Sequence, residues 1–96
     1  MRSYKVNVAQ STLDEIKRRV EAFPWHEMPD DGGWAYGANL EYMRELCDYW
    51  VNEYDWRKHE AEINAYEHFK AEVDGIDLHF IHEQGSGLNR LPLVIS

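Results

Sequence analysis

Cysteine and long apolar runs are scarce in this sequence. A single cysteine, Cys47, excludes an internal disulfide, and its helix-spaced apolar neighbours predict a small buried thiol. No run approaches the roughly 20 apolar residues that span a membrane. The first ten residues, MRSYKVNVAQ, lack the apolar centre of a signal peptide. These absences predict a soluble, cytosolic protein.

Positive charge is also scarce. Ten Lys and Arg residues stand against 18 Asp and Glu residues, which gives a formal net charge of −8 at pH 7. Such a chain repels nucleic-acid phosphates and anionic lipid, so we expect neither nucleic acid nor a membrane as a partner. The aromatic fraction, 14%, is nevertheless high for 96 residues, because a chain of this size buries only a thin core. A partner that covers part of the aromatic surface is therefore predicted.

The first half of the sequence begins with the pattern of a helix. Thr12 and Glu15 have the spacing of a capping box, in which each side chain bonds the other residue's backbone N–H. The first helix is therefore expected over about 13–22, with an apolar stripe of Leu13, Ile16 and Val20. Prolines and glycines then interrupt every periodic pattern up to Gly37, so this passage is predicted to be irregular.

Two more helices are predicted before residue 66. Asn39 is the expected N-cap of the second, which runs to about residue 53. Its apolar positions recur with a helical period of 3.6 residues, at Leu40, Met43, Leu46, Cys47, Trp50, Val51 and Tyr54. Asp55 is expected to cap a shorter third helix over about 56–65.

The period changes from 3.6 to 2 in the last third of the chain. Apolar residues alternate with polar ones on both sides of Asp74-Gly75, a dipeptide typical of two-residue hairpin turns. A hairpin is therefore expected over about 68–83. The segment LPLVIS, 91–96, is apolar at almost every position, as in strands that are covered on both faces. We expect a third strand there, and the helices that would cover it are not among these residues.

These patterns predict an α+β fold. Its first region, 1–66, is a helical arm of about three helices. Its second region, 67–96, supplies a β-hairpin and one further strand of an incomplete sheet. Because that sheet lacks its cover, the sequence favours a part of a larger domain.

No metal, cofactor or catalytic site is predicted. His59-Glu60 resembles the start of a zinc-protease motif, but Ile63 stands where the second histidine is required. The carboxylate pairs, such as Asp30-Asp31, have no apolar surroundings and are expected to be solvated. The five histidines are His26, His59, His68, His79 and His82. His79 and His82 are three apart on a predicted strand, which puts them on opposite faces, so they are not expected to hold one ion together.

An aromatic cluster is the strongest candidate for a functional surface. Its residues occupy the irregular passage, the second helix and the start of the third: Trp25, Trp34, Tyr36, Trp50, Tyr54 and Trp56. Three interpretations remain open, namely the chain's own core, a surface that docks on a larger body, and a stacking site for a small molecule or carbohydrate. Aromatic side chains in irregular segments favour docking.

Several short motifs occur in a fixed order along the chain. They are L-x-x-I-K-R-R at 13–19, Pro24-Trp25, Gly33-Trp34 with Tyr36-Gly37, LCDYW at 46–50, YDWR at 54–57, Asp74-Gly75-Ile76, and LHFIH at 78–82. Together they resemble the N-terminal region of epoxide hydrolases of the microsomal and fungal type, which are α/β-hydrolases. The resemblance covers the chain from about Thr12 to Ser96.

This resemblance implies a role for each region. In the family, the helical arm wraps the outside of the hydrolase domain, and the hairpin supplies the first two strands of its sheet. The segment 91–96 resembles the family's third strand, which is separated from the second by a later strand. The family's aspartate nucleophile, histidine base, His-Gly-Trp-Pro oxyanion loop and lid tyrosines all lie beyond these residues.

The resemblance therefore implies an epoxide hydrolase whose catalytic domain is absent here. That enzyme hydrates an epoxide to a diol through an alkyl-enzyme ester, and this chain alone is predicted to be inactive. Its expected partner is the remainder of an α/β-hydrolase domain, and its exposed strands or arm predict self-association. The alternative is a free-standing acidic module that binds a protein or a ligand.

Overall fold

A computed structural model describes residues 1–25 and 32–96. The chain forms two compact units. One comprises Asn7–Trp56, and the other combines Met1–Val6 with Arg57–Ser96. The boundaries of these two units differ from those of the predicted regions, 1–66 and 67–96. The two regions remain a prediction about the parent protein.

The first unit contains two helices that pack on each other, α1 (Gln10–Glu21) and α2 (Leu40–Asn52). The predicted capping box of α1 is wrong. The helix is capped at Ala9, whose carbonyl accepts the Thr12 N–H at 3.0 Å, and no side chain caps it. Gln10 Nε2 donates to Asp14 Oδ1 at 2.9 Å across the first turn, which favours this earlier start.

Helix α2 begins as its sequence predicts. Asn39 has an extended backbone, and its Oδ1 accepts the Tyr42 N–H at 2.9 Å, so the predicted N-cap is confirmed. Leu40 is 9% exposed and is the one buried apolar side chain among the residues that the structure describes. The expected thin core is therefore observed.

Helix α3 (Trp56–Ile63) follows α2 and ends two residues before the predicted limit. The sheet consists of β1 (Arg2–Tyr4), β2 (His68–Val73) and β3 (Ile76–Ile81), antiparallel in that order. Asp74 (φ 51°) and Gly75 (φ 78°) form the turn between β2 and β3. Positive φ at both central residues defines a type I′ turn, so the predicted hairpin is confirmed.

The third strand differs from the expected one. Residues 91–96 do not form a strand, and the side chains of Leu91, Leu93, Val94 and Ile95 are 82–90% exposed. A strand needs a hydrogen-bonded neighbour, and none is available to this segment within the described residues. The sheet is completed instead by β1, a strand that the sequence analysis missed. Its signal was the alternation of Tyr4, at the end of β1, and Val6 and Val8, just after it, with polar residues.

Candidate functional site: an apolar sheet face and an aromatic groove

One face of the β2–β3 hairpin is apolar and open. The register places Phe69 opposite Phe80, Ala71 opposite Leu78, and Val73 opposite Ile76, so these six side chains share a face. The Phe69 and Phe80 rings stack at 5.9 Å between centroids. The end of this face next to the turn is the least covered, since Val73 and Leu78 are each 51% exposed and Ile76 is 67% exposed. An apolar patch of this kind marks an interaction surface.

The outer edge of β3 is open as well. Within the described residues the sheet order is β1-β2-β3, so β3 has a partner on one side only. Its unpaired backbone groups form a template for another strand. Strand β3, Ile76–Ile81, therefore carries both the open edge and one half of the apolar face, through Ile76, Leu78 and Phe80.

The opposite face of the sheet is polar apart from Ile81. Asp77 accepts a hydrogen bond from the Arg2 guanidinium and lies 3.7 Å from Lys70 Nζ. The same Lys70 ammonium sits 4.3 Å from the centre of the Tyr4 ring, at cation–π distance. Charged and aromatic groups of three strands thus satisfy one another here, which leaves the apolar face as the one that requires a cover.

His68 is the most deeply buried polar side chain of the sheet, at 4% exposure. Its Nε2 lies 2.7 Å from the Ile63 carbonyl oxygen, at the end of α3. Its Nδ1 lies 3.0 Å from Nε2 of His79 on β3. The His79 ring in turn packs edge-on against Tyr4, with 5.0 Å between centroids. One histidine thus joins α3, β2 and β3.

The helical unit carries an open groove of about 510 Å³. Its walls come from α1, the segment after Gly32 and α2, and they are mainly apolar or aromatic. The larger side chains that line it are Arg19, Val20, Phe23, Trp25, Tyr36, Leu40, Met43, Cys47 and Trp50. The Trp25 ring has two close neighbours. Its centroid lies 4.6 Å from the Phe23 ring centroid, and the Arg44 guanidinium carbon lies 5.8 Å from the centroid of a Trp25 ring. The groove is thus a concave, mainly apolar surface of the helical unit.

The structure brings three of the six predicted docking residues together. Trp25, Tyr36 and Trp50 line the groove, whereas Trp34 packs against Tyr42 with 5.4 Å between ring centroids. Tyr54 and Trp56 do not line it. Trp34 and Tyr36 are 63% and 92% exposed, while Trp25 and Trp56 are half-buried. Whether these six residues dock on another body stays a prediction.

Sequence reasoning placed the candidate surface on aromatic residues and missed the sheet face. The signal was present, because the alternation that predicts the hairpin also predicts that Val73, Ile76 and Leu78 share one side. Predicting their exposure required knowing that no described element covers that side.

The charged surface of α1 is organised around Glu15. Its carboxylate accepts hydrogen bonds from Arg18 Nε at 2.7 Å and from Arg19 Nε at 2.8 Å. The bond from Arg18 and then the bond from Arg19 lower the pKa of Glu15 to about 2. The hydrogen bond between Glu15 and Arg18 also raises the pKa of Arg18. Glu15, predicted to cap the helix, therefore braces its exposed surface instead.

No group of three or more His, Cys, Asp or Glu side chains is placed to hold a metal ion among the described residues, 1–25 and 32–96. His26, Asp30 and Asp31 lie outside those residues. None of the helices in this part of the chain combines the length and the apolar composition that crossing a bilayer requires.

The fold is α+β: three helices and a hairpin-containing antiparallel sheet, an arrangement that recurs within epoxide hydrolases of the α/β-hydrolase superfamily. The family model described as "Epoxide hydrolase N terminus" matches residues 1–96. The chain belongs to this family.

Individual relatives agree with this assignment. Epoxide hydrolase 1 of Sus scrofa is 33% identical over 99 residues, which covers 99% of this chain and 22% of that protein. The structure of Aspergillus niger epoxide hydrolase matches 82% of this chain and 21% of its own, at 25% identity and a TM-score of 0.74. Juvenile hormone epoxide hydrolase of Bombyx mori matches 83% and 19%, at 26% identity and a TM-score of 0.74. The chain thus spans about a fifth of the length of these relatives.

Proposed function

We propose that this chain is the N-terminal clasp of an epoxide hydrolase, which docks on the catalytic domain and contributes strands to its sheet. The observation that carries the proposal is the open sheet face, where Val73, Ile76 and Leu78 are at least half exposed beside the unpaired edge of β3. An α/β-hydrolase domain offers both covers that such a hairpin lacks, a neighbouring strand and helices over the sheet.

The polar residues of this chain support a structural role. Covalent epoxide opening needs a nucleophile, a base and charge stabilisers within hydrogen-bond reach of one another. The buried polar residues among those described are Glu60 and His68. Glu60 is paired with Arg57 at 2.7 Å, and His68 bonds Ile63 and His79. Because both side chains are engaged in contacts within the chain, Glu60 inside α3 and His68 between elements, we propose that this chain alone is inactive and binds no cofactor.

In this proposal, the complete protein hydrates an epoxide to a diol through an alkyl-enzyme ester formed in the catalytic domain. Residues 1–66 form the arm, which docks through the predicted surface of Trp25, Trp34, Tyr36, Trp50, Tyr54 and Trp56. Residues 67–96 enter the sheet. The segment 91–96 becomes a strand only when the intervening strand of the catalytic domain is present, which agrees with its exposure here.

A chimaeric enzyme tests the docking face. In Aspergillus niger epoxide hydrolase, the matching N-terminal segment is replaced by this chain, and epoxide hydrolysis is measured. We expect activity from this chimaera and a loss of at least tenfold when Ile76→Lys and Leu78→Lys are introduced, because two charges cannot be buried under a hydrolase body. Glu72→Lys, on the polar face of β2, is the matched control and leaves activity unchanged. Equal activity with lysine on either face refutes docking through the apolar face.

We also propose that the isolated chain self-associates through the same edge. An open strand with an apolar face pairs readily with a second copy. Light scattering over a concentration series is expected to show a dimer that grows with concentration. Leu78→Lys should weaken it, and Glu72→Lys should not. A monomer at every concentration would remove self-association from the proposal.

A second candidate function, a free-standing acidic ligand-binding module, is favoured by the groove of the helical unit. Its volume of about 510 Å³ falls within the range of small-molecule sites. This function requires a monomer that unfolds in one sharp transition. A broad transition, which is sharpened by the catalytic domain of a relative, would decide in favour of the clasp.

A further inference from the structure

The open edge of β3 exposes the backbone groups of alternate residues only. The His82 N–H donates to the Glu67 carbonyl at 3.0 Å, so these two residues form a hydrogen-bonded pair. Such pairs alternate with non-hydrogen-bonded pairs along an antiparallel ladder, and the even-numbered residues of β3 therefore bond to β2. The backbone N–H and C=O groups of Asp77, His79 and Ile81 consequently point away from β2, toward the open edge.

This alternation restricts how the edge can pair with a copy of itself. In an antiparallel pair, hydrogen bonds join Asp77, His79 or Ile81 of one copy to one of the same three residues in the other. Residues that face each other across such a pair have their side chains on the same side of the sheet. The two apolar faces therefore lie on one side. A one-residue slip would separate them, but it requires the backbone groups of the even-numbered residues, which are already bonded to β2.

Two rows of charged and polar side chains cross the polar face of the sheet. The basic row is Arg2, Lys70 and His79, and the acidic row is Glu72 and Asp77. Each row ends at the open edge of β3, with His79 or with Asp77. The register between two copies therefore decides which rows meet.

Only one register joins an acidic row to a basic row. If Asp77 faces Asp77 of the second copy, the two acidic rows meet, and like charges directly opposite each other are destabilising. If His79 faces His79, the two basic rows meet. A further shift in that direction places Asp77 opposite Glu83. In the remaining register, Asp77 of each copy faces His79 of the other, and complementary charges of this kind fix the register of an interface.

The apolar face favours the same register. When Asp77 faces His79, Leu78 lies opposite Leu78 of the second copy, and Ile76 lies opposite Phe80. Both are contacts between apolar side chains, and Leu78 and Ile76 are 51% and 67% exposed in the single chain. When His79 faces His79 instead, Ile76 lies opposite His82. The backbone hydrogen bonds and the apolar contacts supply the affinity of the pair, and the charges select its register.

We infer that two copies pair antiparallel through β3 with Leu78 on the twofold axis, an inference that rests on the self-association proposed above. The two three-stranded sheets then form one sheet, in the order β1-β2-β3-β3-β2-β1, with a continuous apolar face. The second copy occupies the backbone groups of Asp77, His79 and Ile81. A strand of the catalytic domain would use the same groups, so pairing with a copy and docking on the catalytic domain exclude each other.

Disulfide trapping tests the register in a chain whose own thiol is removed by Cys47→Ala. The Cα atoms of a non-hydrogen-bonded antiparallel pair lie about 4.5 Å apart, within the range of a disulfide. In a glutathione redox buffer, Leu78→Cys should give about tenfold more covalent dimer than Val73→Cys, because the axis holds its two thiols at a high effective concentration. Val73 is a matched control, since it has the same exposure on the same face but lies on β2, away from the axis.

A mixture of Ile76→Cys and Phe80→Cys chains, one of them labelled with ¹⁵N, tests the register with Leu78 intact. Mass spectrometry should find the mixed dimer in about tenfold excess over the dimer of either chain with itself. Should Leu78→Cys fail to fold, this mixture decides the question.

The outcomes separate this register from the proposals on which it rests. If light scattering shows a dimer but Leu78→Cys is trapped with Phe80→Cys or with Ile76→Cys, the register is wrong and self-association stands. A monomer at every concentration overturns both. Docking on the catalytic domain is measured separately, by the activity of the chimaeric enzyme.

Discussion

At the scale of the residue, Asn64 replaces a missing strand. Its Oδ1 accepts the Val6 N–H at 2.9 Å, and its Nδ2 donates to the Val6 carbonyl at 2.7 Å. One side chain thus satisfies both backbone groups of Val6, as a neighbouring strand would. The pairing of β1 is thereby extended beyond its three residues.

Replacing Asn64 should therefore loosen the start of the chain. We expect Asn64→Ala to lower the free energy of unfolding by about 1–2 kcal/mol, because two partly buried backbone groups lose their partners. Asn64→Asp should also destabilise, since it keeps the acceptor but loses the donor. Urea unfolding followed by circular dichroism measures both. Asn89→Ala, in an exposed loop, is the control, and an equal effect there would exclude a specific role for Asn64.

Glu15 gives α1 a defined dependence on acid. Hydrogen bonds from Arg18 and Arg19 lower its pKa to about 2, from a usual value of 4.5. The carboxylate therefore contributes fully to folding above about pH 4.5, and this contribution is lost as the pH falls through about 2. Thermal melts followed at the helical circular-dichroism band should show a midpoint that falls from pH 5 to pH 2. Glu15→Gln should reduce that fall, whereas Glu45→Gln, on α2, should not.

At the scale of the element, the hairpin turn requires a glycine because of its backbone conformation. There is room at this position for a larger side chain. Gly75 has a φ of 78°, and a Cβ placed on it would meet nothing within 4 Å. Gly75→Ala should therefore cost about 1 kcal/mol, through left-handed backbone strain alone. Gly75→Asn should cost less, because asparagine tolerates this region. Denaturant unfolding measures the loss. Gly85→Ala, where the Cβ lies at an ordinary 3.6 Å from Arg90, is expected to be neutral.

Elements specified by neighbouring residues are the ones that the sequence predicts. Asp74-Gly75 encodes the turn and Asn39 encodes the start of α2, and both signals act within four residues. Thr12 and Glu15 offer an equally local signal, yet the first turn of α1 forms three residues earlier and leaves Thr12 inside the helix. A capping pattern predicts a helix start only when no upstream turn competes with it.

Pairing between residues far apart in the chain could not be predicted from the sequence. Strand β1 is specified by a partner in β2 and by Asn64, which lies 58 residues from Val6. The segment 91–96 has the composition of a buried strand but forms none here, because composition does not provide a neighbour. For the same reason, the candidate surface was sought on aromatic residues, while the exposure of the sheet face became visible only in the structure.

At the scale of the whole molecule, the net charge of −8 opposes the self-association that the open edge favours. Like charges on two copies repel, and added salt screens that repulsion. We therefore expect the dimer to tighten severalfold between 20 mM and 500 mM salt at pH 7.5, measured by light scattering. An association that weakens with salt would show instead that copies meet through ion pairs.

The pairing of β1 with β2 has a consequence for the order of folding. The β2–β3 hairpin is closed by two residues and can form within about 1–10 μs. Docking of β1 must close a loop that contains the entire helical unit, and the entropy of closure grows with loop length. The chain therefore begins with residues that fold late. In refolding, Arg2–Tyr4 should be the last strand to acquire protection and, in denaturant, the first to lose it.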